Sequence, residues 1–372
     1  KESEKVNFAL MKRRDFLRTA GLATLGTTPV IAGEKAASPK DPIHWKMVTA
    51  WPKNFPGPGV SATRLATLIR EMSDGRLQIK VYAAGELVPA LEVFDAVSAG
   101  TAEMGHAASH YWAGKIPAVS FFAGVPFGMT ANEMNAWFYH GGGLELWQEV
   151  YAPFDLIPMP AGNAGMQMAG WYRKPINSLA DFKGLKMRVA GLGGEVLRRV
   201  GVLPVTMPAG EVFTALQTGA LDAAEFVGPY SDMPLGLYKV AKYYYTPGWN
   251  DPGSPLECTI NKQAYGKLPG DLQAIVRAAC QAMNNDMLAE YNARNAVALE
   301  SLVDDHQVKL SRLPDSVIDA LRDKTAQVLT ELADKDATTA RVYKAYRKFA
   351  QQAMGWTMVS EYDYLKARKS AL

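Results

Sequence analysis

The fold prediction rests mainly on the pattern of the stretch GEVFTALQTGALDAAEFV, residues 210–227. Apolar residues at helical spacing are followed by a glycine and then by a short apolar run. The same order of helix, glycine and strand occurs in VFDAVSAGTAEMGH, residues 93–106. Alternating helices and strands build parallel sheets that helices cover. The repeated pattern therefore predicts two α/β lobes of similar construction.

Neighbouring segments extend this pattern. IHWKMVTAW at 43–51 and LQIKVYAAGEL at 77–87 alternate as strands do, and MQMAGWYRKP at 166–175 predicts the first strand of a second lobe. After residue 268 the spacing is almost entirely helical, and residues 271–306 predict a helix long enough to link or brace the lobes. A cleft between two lobes suits a small ligand and hinge closure around it.

Composition narrows the class of protein. The 372 residues are 48% hydrophobic and 21% charged, which is typical of a globular chain with a substantial core. A net charge of +3 with no basic run argues against nucleic acid as a partner. The two cysteines, Cys258 and Cys280, are interpreted as buried thiols rather than a disulfide.

The N-terminal part has the plan of an export signal. MKRRDFLR at 11–18 is followed by the apolar, small-residue run TAGLATLGTTPVIAG. The paired arginines resemble a twin-arginine signal, which we place at 11–36, and a disordered basic tail is the alternative. The apolar run is too short for a permanent span. The mature protein is therefore expected in the periplasm.

Two charged residues lie in apolar surroundings. Glu225 stands between Ala224 and Phe226, and a buried carboxylate needs an arginine, a metal ion or a ligand to neutralise it. Arg188 lies between Met187 and Val189, so its side chain points to the opposite face of a predicted strand. The residues alone leave open whether this arginine forms a structural ion pair or binds a ligand.

Several spaced motifs carry a family resemblance. GWYRKPINSLADF, DFKGLKMRVAG and PVTMPAGEVFTALQTGALDAAE, between residues 170 and 225, resemble the solute-binding proteins of TRAP (tripartite ATP-independent periplasmic) transporters. GNAGMQMAGWYRK, GLGGEVLRRVGV, DAAEFVGPYSD and KYYYTPGWNDPGSPLE are similar to the branch that binds 2-oxo or 2-hydroxy monocarboxylates such as pyruvate and lactate. The resemblance covers about 44–365.

The resemblance implies a two-lobed, periplasmic-binding-protein-like α/β fold with a long bracing helix and C-terminal helices. It implies a receptor that passes a small carboxylate to membrane transporter subunits, binds it together with a sodium or calcium ion, and can form a homodimer. The predicted domains are lobe I (43–165 and 253–275), lobe II (166–252 and 300–335), a linking helix (276–299) and a C-terminal helical segment (336–372).

The resemblance also assigns roles to residues of the predicted cleft. Arg188 matches the arginine that grips the ligand's carboxylate, which suits its two parallel N–H donors. Glu225 matches the metal-binding carboxylate, and the amide oxygen of Gln167 and the backbone carbonyl of Phe226 complete the protein's share of the site. Relatives often carry tryptophan where Phe226 stands, so the pocket wall can differ here.

Further candidates have two interpretations each. Asn163 either donates to the ligand or stabilises a turn. Glu257 is interpreted as a strand residue directed toward the cleft, where it would join both the ligand and the metal, or as a surface carboxylate. Tyr111 is the chosen hydroxyl donor from lobe I, and Phe226 and Trp249 are candidate apolar walls or plain core.

Charge balance and missing motifs limit the function. Arg188, Glu225 and a monocarboxylate sum to −1, which sodium neutralises, whereas an ionised Glu257 would favour calcium. The chain has no G-x-S-x-G, no H-E-x-x-H and no phosphate-binding loop, so a receptor is favoured over an exported enzyme. Four-carbon dicarboxylates and sugar acids remain alternative ligands.

Overall fold

A computed structural model describes residues 41–368 of the chain. The predicted export signal at 11–36 and residues 369–372 lie outside the described residues. No helix within the described part combines the length and apolarity needed to span a membrane.

Strands and helices alternate through most of the chain. The strands are β1 (Ile43–Thr49), β2 (Leu77–Tyr82), β3 (Met104–Ala107), β4 (Leu156–Asn163), β5 (Gly170–Tyr172), β6 (Lys186–Arg188), β7 (Leu203–Val205), β8 (Ala223–Ala224), β9 (Tyr243–Thr246), β10 (Pro255–Asn261) and β11 (Lys309–Arg312). The helices are α1 (Pro58–Met72), α2 (Val93–Ser98), α3 (Ala131–His140), α4 (Gly143–Tyr151), α5 (Gly191–Arg198), α6 (Ala209–Thr218), α7 (Pro229–Asp232), α8 (Lys262–Gly266), α9 (Gly270–Asp304), α10 (Asp315–Ala333), α11 (Ala337–Thr357) and α12 (Asp363–Arg368).

The strands form two sheets, each mixing parallel and antiparallel pairs. The first sheet has the order β2-β1-β3-β10-β4, and the second has the order β11-β9-β5-β8-β6-β7. In the first, β1 is parallel to β2 and β3, whereas β10 is antiparallel to both of its neighbours. In the second, β6 is parallel to β7 and β8. The predicted α/β fold class is confirmed, including the helical C-terminal part.

The chain passes between the sheets more than once. After contributing β5 to β9 to the second sheet, it returns to the first sheet as β10 and then to the second as β11. The predicted lobe I segment 253–275 contains β10, and the predicted lobe II segment 300–335 contains β11. The exact domain boundaries stay a prediction.

The long helix is longer than the predicted linking segment. The segment 276–299 lies inside α9, which runs for 35 residues and so measures about 50 Å. On α9, Met287 packs at Gly162 of β4, and Tyr291 makes a 2.5 Å hydrogen bond with Ser231 of α7. The single helix α9 therefore contacts β4 of the first sheet and also α7, the short helix that follows strand β8 of the second sheet in the chain.

Some predicted strands are shorter than their apolar patterns suggest. The predicted strand 166–175 is reduced to the three residues of β5. The backbone N–H groups of Gln167 and Met168 donate to the carbonyls of Asp251 and Val227, outside the sheet ladder. This segment therefore approaches two loops instead of extending the strand.

Both cysteines belong to the buried hydrophobic core. Cys258 lies in β10 and Cys280 in α9, and both are buried free thiols, as the sequence predicted. Their packing among Met47, Leu65 and Met104 is that of small apolar residues.

Gly105 in β3 lies at a closely packed position of the first sheet. A Cβ on Gly105 would lie 2.6 Å from Val93 Cγ1 and 2.7 Å from Thr259 Oγ1. We expect Gly105→Ala to lower the free energy of unfolding by about 1–3 kcal/mol through overpacking, measured by urea unfolding. The control is Gly210→Ala in α6, where the added methyl group meets no atom within 4 Å. A loss in the control equal to that in Gly105→Ala would contradict the packing argument.

Candidate functional site

The loops that follow several strands converge on a small internal cavity. Its volume is about 50 Å³. The chain brings to it Tyr111 from the turn after β3, Gln167 from the segment before β5, Arg188 at the end of β6, and Glu225 and Phe226 directly after β8. The structure thus brings together five of the residues that the sequence proposed.

Arg188 and Glu225 form a buried ion pair at the cavity. Arg188 Nη1 lies 3.3 Å from Glu225 Oε2 and donates to the backbone carbonyl of Glu225 at 2.5 Å. The two residues are only 2% and 4% exposed. The ring of Phe226 lies 4.8 Å from the guanidinium carbon, so it covers one side of the cation.

Strand register brings these two charges together. β6 and β8 are parallel neighbours in which Arg188 pairs with Ala224, so Glu225 is the next residue beyond the pair. The backbone N–H of Glu225 also donates to the carbonyl of Arg188 at 2.9 Å. Met187 and Val189 are buried in the core, which leaves Arg188 to face the cavity, as the alternation predicted.

The ion pair does not fully compensate the burial of Glu225. Loss of water raises the pKa of this carboxyl from 4.5 to about 8, although Arg188 acts in the opposite direction. The nearby carboxyl groups of Asp251 and Asp232 raise the pKa further. A cation in the cavity would therefore stabilise the ionised carboxylate.

Gln167 presents an unused oxygen in the same place. Its Nε2 donates to Asp251 Oδ2 at 3.0 Å, whereas its buried Oε1 has no hydrogen-bond partner among the described residues. An unpaired buried acceptor is costly, so this atom is suited to a cation or a donor from a ligand. The oxygen donors of Gln167 and Glu225 fit a hard cation such as sodium or calcium.

Asp251 is a cavity residue that the sequence reasoning missed. It lies between β9 and β10, is buried, and accepts from Gln167 Nε2 and from the backbone N–H of Ser254. Burial raises its pKa to about 6. It lies in the sequence NDPGSP, which is typical of a turn, where an aspartate side chain commonly hydrogen-bonds to nearby backbone groups. Only its position two residues after the candidate wall residue Trp249 could have singled it out.

Residues from the first sheet's side close the cavity. His110 lines it, and burial together with the charge of Arg188 lowers its pKa to about 3, so its imidazole is neutral. Burial raises the pKa of Tyr111, so its hydroxyl stays protonated and can donate. Trp51, whose ring lies 6.3 Å from the ring of Tyr111 at an angle of 51°, is fixed by its Nε1 donating to His106 Nδ1 at 2.8 Å.

Three predicted residues do not line the cavity. Glu257 is turned into the core, where Trp112 Nε1 and the Tyr151 hydroxyl each donate to its carboxylate at 2.6 Å, so the expected cleft-facing orientation was wrong. Asn163 ends β4, and its Oδ1 accepts from the N–H of Gly165, as the turn-stabilising interpretation expects, while its buried Nδ2 has no hydrogen-bond partner among the described residues. Trp249 packs against Phe127 as core.

A second buried carboxylate holds the loop after β8. Asp232 accepts from Trp171 Nε1 at 2.8 Å, from the Tyr244 hydroxyl at 2.9 Å and from the N–H of Val227 at 3.2 Å. Val227 directly follows Phe226, so this network fixes the backbone whose carbonyl the sequence assigned to a metal. Burial raises the pKa of Asp232 to about 6.

The fold and this enclosed, charged cavity define a solute-binding protein. The family model described as bacterial extracellular solute-binding protein, family 7, matches residues 48–336. The chain belongs to this family, and the resemblance seen in the sequence is confirmed.

Similar proteins are described with particular ligands and ions. A relative from Nostoc sp. strain PCC 7120, described as a monocarboxylate 2-oxoacid-binding periplasmic protein, is 43% identical over 95% of this chain and 98% of its own. A TRAP periplasmic solute binding protein from Pseudoalteromonas atlantica, solved with sodium and pyruvate, is 42% identical, has a TM-score of 0.85, and is matched over 87% of this chain and 99% of its own. A TRAP solute binding protein from Bordetella bronchiseptica, solved as a dimer with calcium and picolinate, is 40% identical, has a TM-score of 0.87, and is matched over 89% and 98%.

The stability of the ligand-free protein should depend on the protonation of Glu257. Burial raises the pKa of this carboxyl from 4.5 to about 7, so the folded protein retains a proton that the unfolded chain releases. Its contribution to stability is therefore lost as pH rises through about 7. Glu225, whose pKa is raised to about 8, adds to the loss of stability over the same range, whereas His106 and His110 have lowered pKa values and act only at lower pH.

Of the fall in the free energy of unfolding between pH ~6.5 and ~8.5, we expect about 1 kcal/mol to come from Glu257. In Glu257→Gln this fall should be smaller, because the amide does not ionise. Urea unfolding across this pH range measures both slopes. A variant with the same slope as the wild type would show that Glu257 is already ionised in the folded protein.

Proposed function

We propose that the protein is the extracytoplasmic receptor of a TRAP transporter and binds a 2-oxo or 2-hydroxy monocarboxylate together with a sodium or calcium ion. The observation that carries the proposal is the buried Arg188–Glu225 pair beside the unpaired oxygen of Gln167 in one small cavity. These groups offer a cation for the ligand's carboxylate and oxygens for an ion. The neighbours solved with pyruvate or picolinate support the same combination.

The ligand's carboxylate would bind to Arg188. A guanidinium presents parallel N–H donors that match two carboxylate oxygens, and the pairing is strong away from water. The carbonyl of Glu225 fixes Nη1, so the arginine is held in place before the ligand arrives. Tyr111 lines the same cavity, and we assign its hydroxyl as a further donor to the ligand.

The cation would be held by Glu225, Gln167 and the carbonyl of Phe226. No group of three or more histidine, cysteine, aspartate or glutamate side chains suited to a metal occurs in residues 41–368. The three proposed protein donors supply fewer oxygens than the roughly 6–8 that a calcium ion takes, so oxygens of the ligand would complete the coordination. Ligand and ion should consequently bind together, each raising the affinity for the other.

The size of the cavity favours a small acid. Its volume of about 50 Å³ is far below the roughly 300–1,000 Å³ of pockets that hold drug-sized ligands. A pyruvate-sized molecule suits this space better than a sugar acid. A dicarboxylate is less favoured because Arg188 is the one ionised basic residue among the described residues that line the cavity.

The rest of the transport role follows from this receptor. The protein would release its ligand chemically unchanged to membrane transporter subunits driven by an ion gradient. The family description is extracellular, and a relative is described as periplasmic. The arginine pair at 13–14 supports export by the twin-arginine pathway to the periplasm.

The C-terminal helices supply a surface for a homodimer. On α11 and the segment that follows it, Met354, Trp356 and Val359 are exposed, with Trp356 at 71%. Apolar side chains this exposed and this close together usually mark an interface. The Bordetella bronchiseptica neighbour was solved as a dimer, which supports a second copy of this chain as the occupant.

Thermal unfolding tests the receptor and its ion. Pyruvate should raise the unfolding midpoint of ligand-free protein only when sodium or calcium is present, following the mass-action dependence on ligand concentration. Arg188→Lys should weaken binding at least about tenfold because the bidentate pairing is lost. Glu225→Gln should lose the dependence on the cation.

Arg173→Lys and Glu211→Gln are the matched controls, because both side chains are exposed and lie outside the cavity. They should behave as the wild type does. A shift produced equally well in the presence of a chelator would contradict the ion's role. A response only to malate or glucuronate would keep the receptor and replace the proposed ligand.

Sedimentation tests the homodimer. Trp356→Asp places a charge at the centre of the exposed apolar surface and should convert a dimer into a monomer. Met72→Asp, at another exposed apolar position on α1, should leave the dimer intact. A wild-type chain that is monomeric at micromolar concentrations would rule out the proposed dimer.

A further inference from the structure

The feature that carries the inference is the carboxylate of Asp251. Its Oδ2 accepts from Gln167 Nε2 at 3.0 Å, and its Oδ1 accepts from the N–H of Ser254 at 2.8 Å. No salt bridge to Asp251 occurs among the described residues, although the side chain is buried. This carboxylate therefore adds a negative charge to the cavity wall without a basic partner of its own.

The surrounding backbone is built to accept this carboxylate. A Cβ on Gly124 would lie 1.6 Å from Asp251 Oδ1, so only glycine leaves room for the side chain at this point. Gly124 lines the cavity as well. The N–H of Gln167 donates to the backbone carbonyl of Asp251, which ties the two residues together a second time. The position of the charge is thus fixed by contacts from three sides.

Asp251 also orients the oxygen offered to the cation. Because Gln167 donates its Nε2 to Asp251, the amide oxygen is directed elsewhere, and it is this oxygen that lacks a partner. An aspartate cannot donate in return, so the opposite orientation of the amide would set two acceptors against each other. Asp251 is in this sense a positioning residue for Gln167.

The charge balance of the cavity follows directly. When a bound cation keeps Glu225 ionised, Arg188 contributes +1, and Glu225 and Asp251 contribute −1 each, which gives −1 before the charges of the ligand and the cation are added. A monocarboxylate brings the sum to −2. A monovalent cation leaves −1 in a water-poor site, whereas a divalent cation brings the sum to zero, and uncompensated buried charge is expensive.

We propose that Asp251 makes the site select a divalent cation of the calcium type over sodium. The inference rests on the proposed function, because it concerns the ion that binds with the carboxylate. Sodium and calcium ions are of nearly equal size, so the choice between them at this site is made by charge.

The test compares the two cations in wild-type protein and in Asp251→Asn. With metal-free protein and saturating pyruvate, calorimetric titration of each cation gives the ratio of calcium to sodium affinity. The wild type should favour calcium, and Asp251→Asn should lower the ratio at least about tenfold. Any loss of Gln167 orientation affects both cations and cancels in the ratio. Asp323→Asn, which removes an equal charge from the exposed face of α10, should leave the ratio unchanged.

An unchanged ratio in a folded Asp251→Asn variant, or a wild type that binds sodium as tightly as calcium, would overturn the inference while the receptor stands. Pyruvate binding to wild type with neither cation would overturn the proposed function as well. If Asp251→Asn fails to fold by circular dichroism, Asp251→Ser and the wild-type ratio make the same decision.

Discussion

The site depends on one buried ion pair, Arg188 with Glu225. Removing both charges from water is costly, and their mutual attraction does not recover the whole cost, as the raised pKa of Glu225 shows. The pair forms because strand register places the two residues next to each other and two hydrogen bonds to backbone carbonyls hold them there. A cation and a carboxylate ligand would complete what the protein leaves uncompensated.

The neighbouring structure acts mainly to hold this pair in place. Asp232 ties the loop after β8 to Trp171 and Tyr244, and α9 reaches the adjoining helix α7 through Tyr291. Asp251 fixes Gln167, and Gly124 makes room for Asp251. Hydrogen bonds among buried polar groups favour one arrangement of side chains, so the cavity can be formed before its ligand enters.

The sequence predicted what depends on local pattern and on the family's spaced motifs. Alternating helix and strand signals gave the α/β class, and the flanking of Arg188 by Met187 and Val189 gave its direction. The sequence could not show which face of β10 meets the cavity, and Glu257 was placed on the wrong side. In the structure the carboxylate of Glu257 lies with Trp112 and Tyr151, two donors that are distant in sequence. Asp251 was missed for a related reason. Its local sequence indicates an ordinary turn, and its burial results from packing against residues that are distant in sequence.

A crystal structure of the metal-loaded protein with pyruvate would test most directly whether Arg188 binds the ligand and Glu225 binds the cation. We expect the ligand's carboxylate on the guanidinium of Arg188, and one cation bound by Glu225, the amide oxygen of Gln167 and oxygens of the ligand. Anomalous scattering from calcium would identify the ion. A ligand bound without contact to Arg188, or a cation bound away from Glu225, would contradict the account.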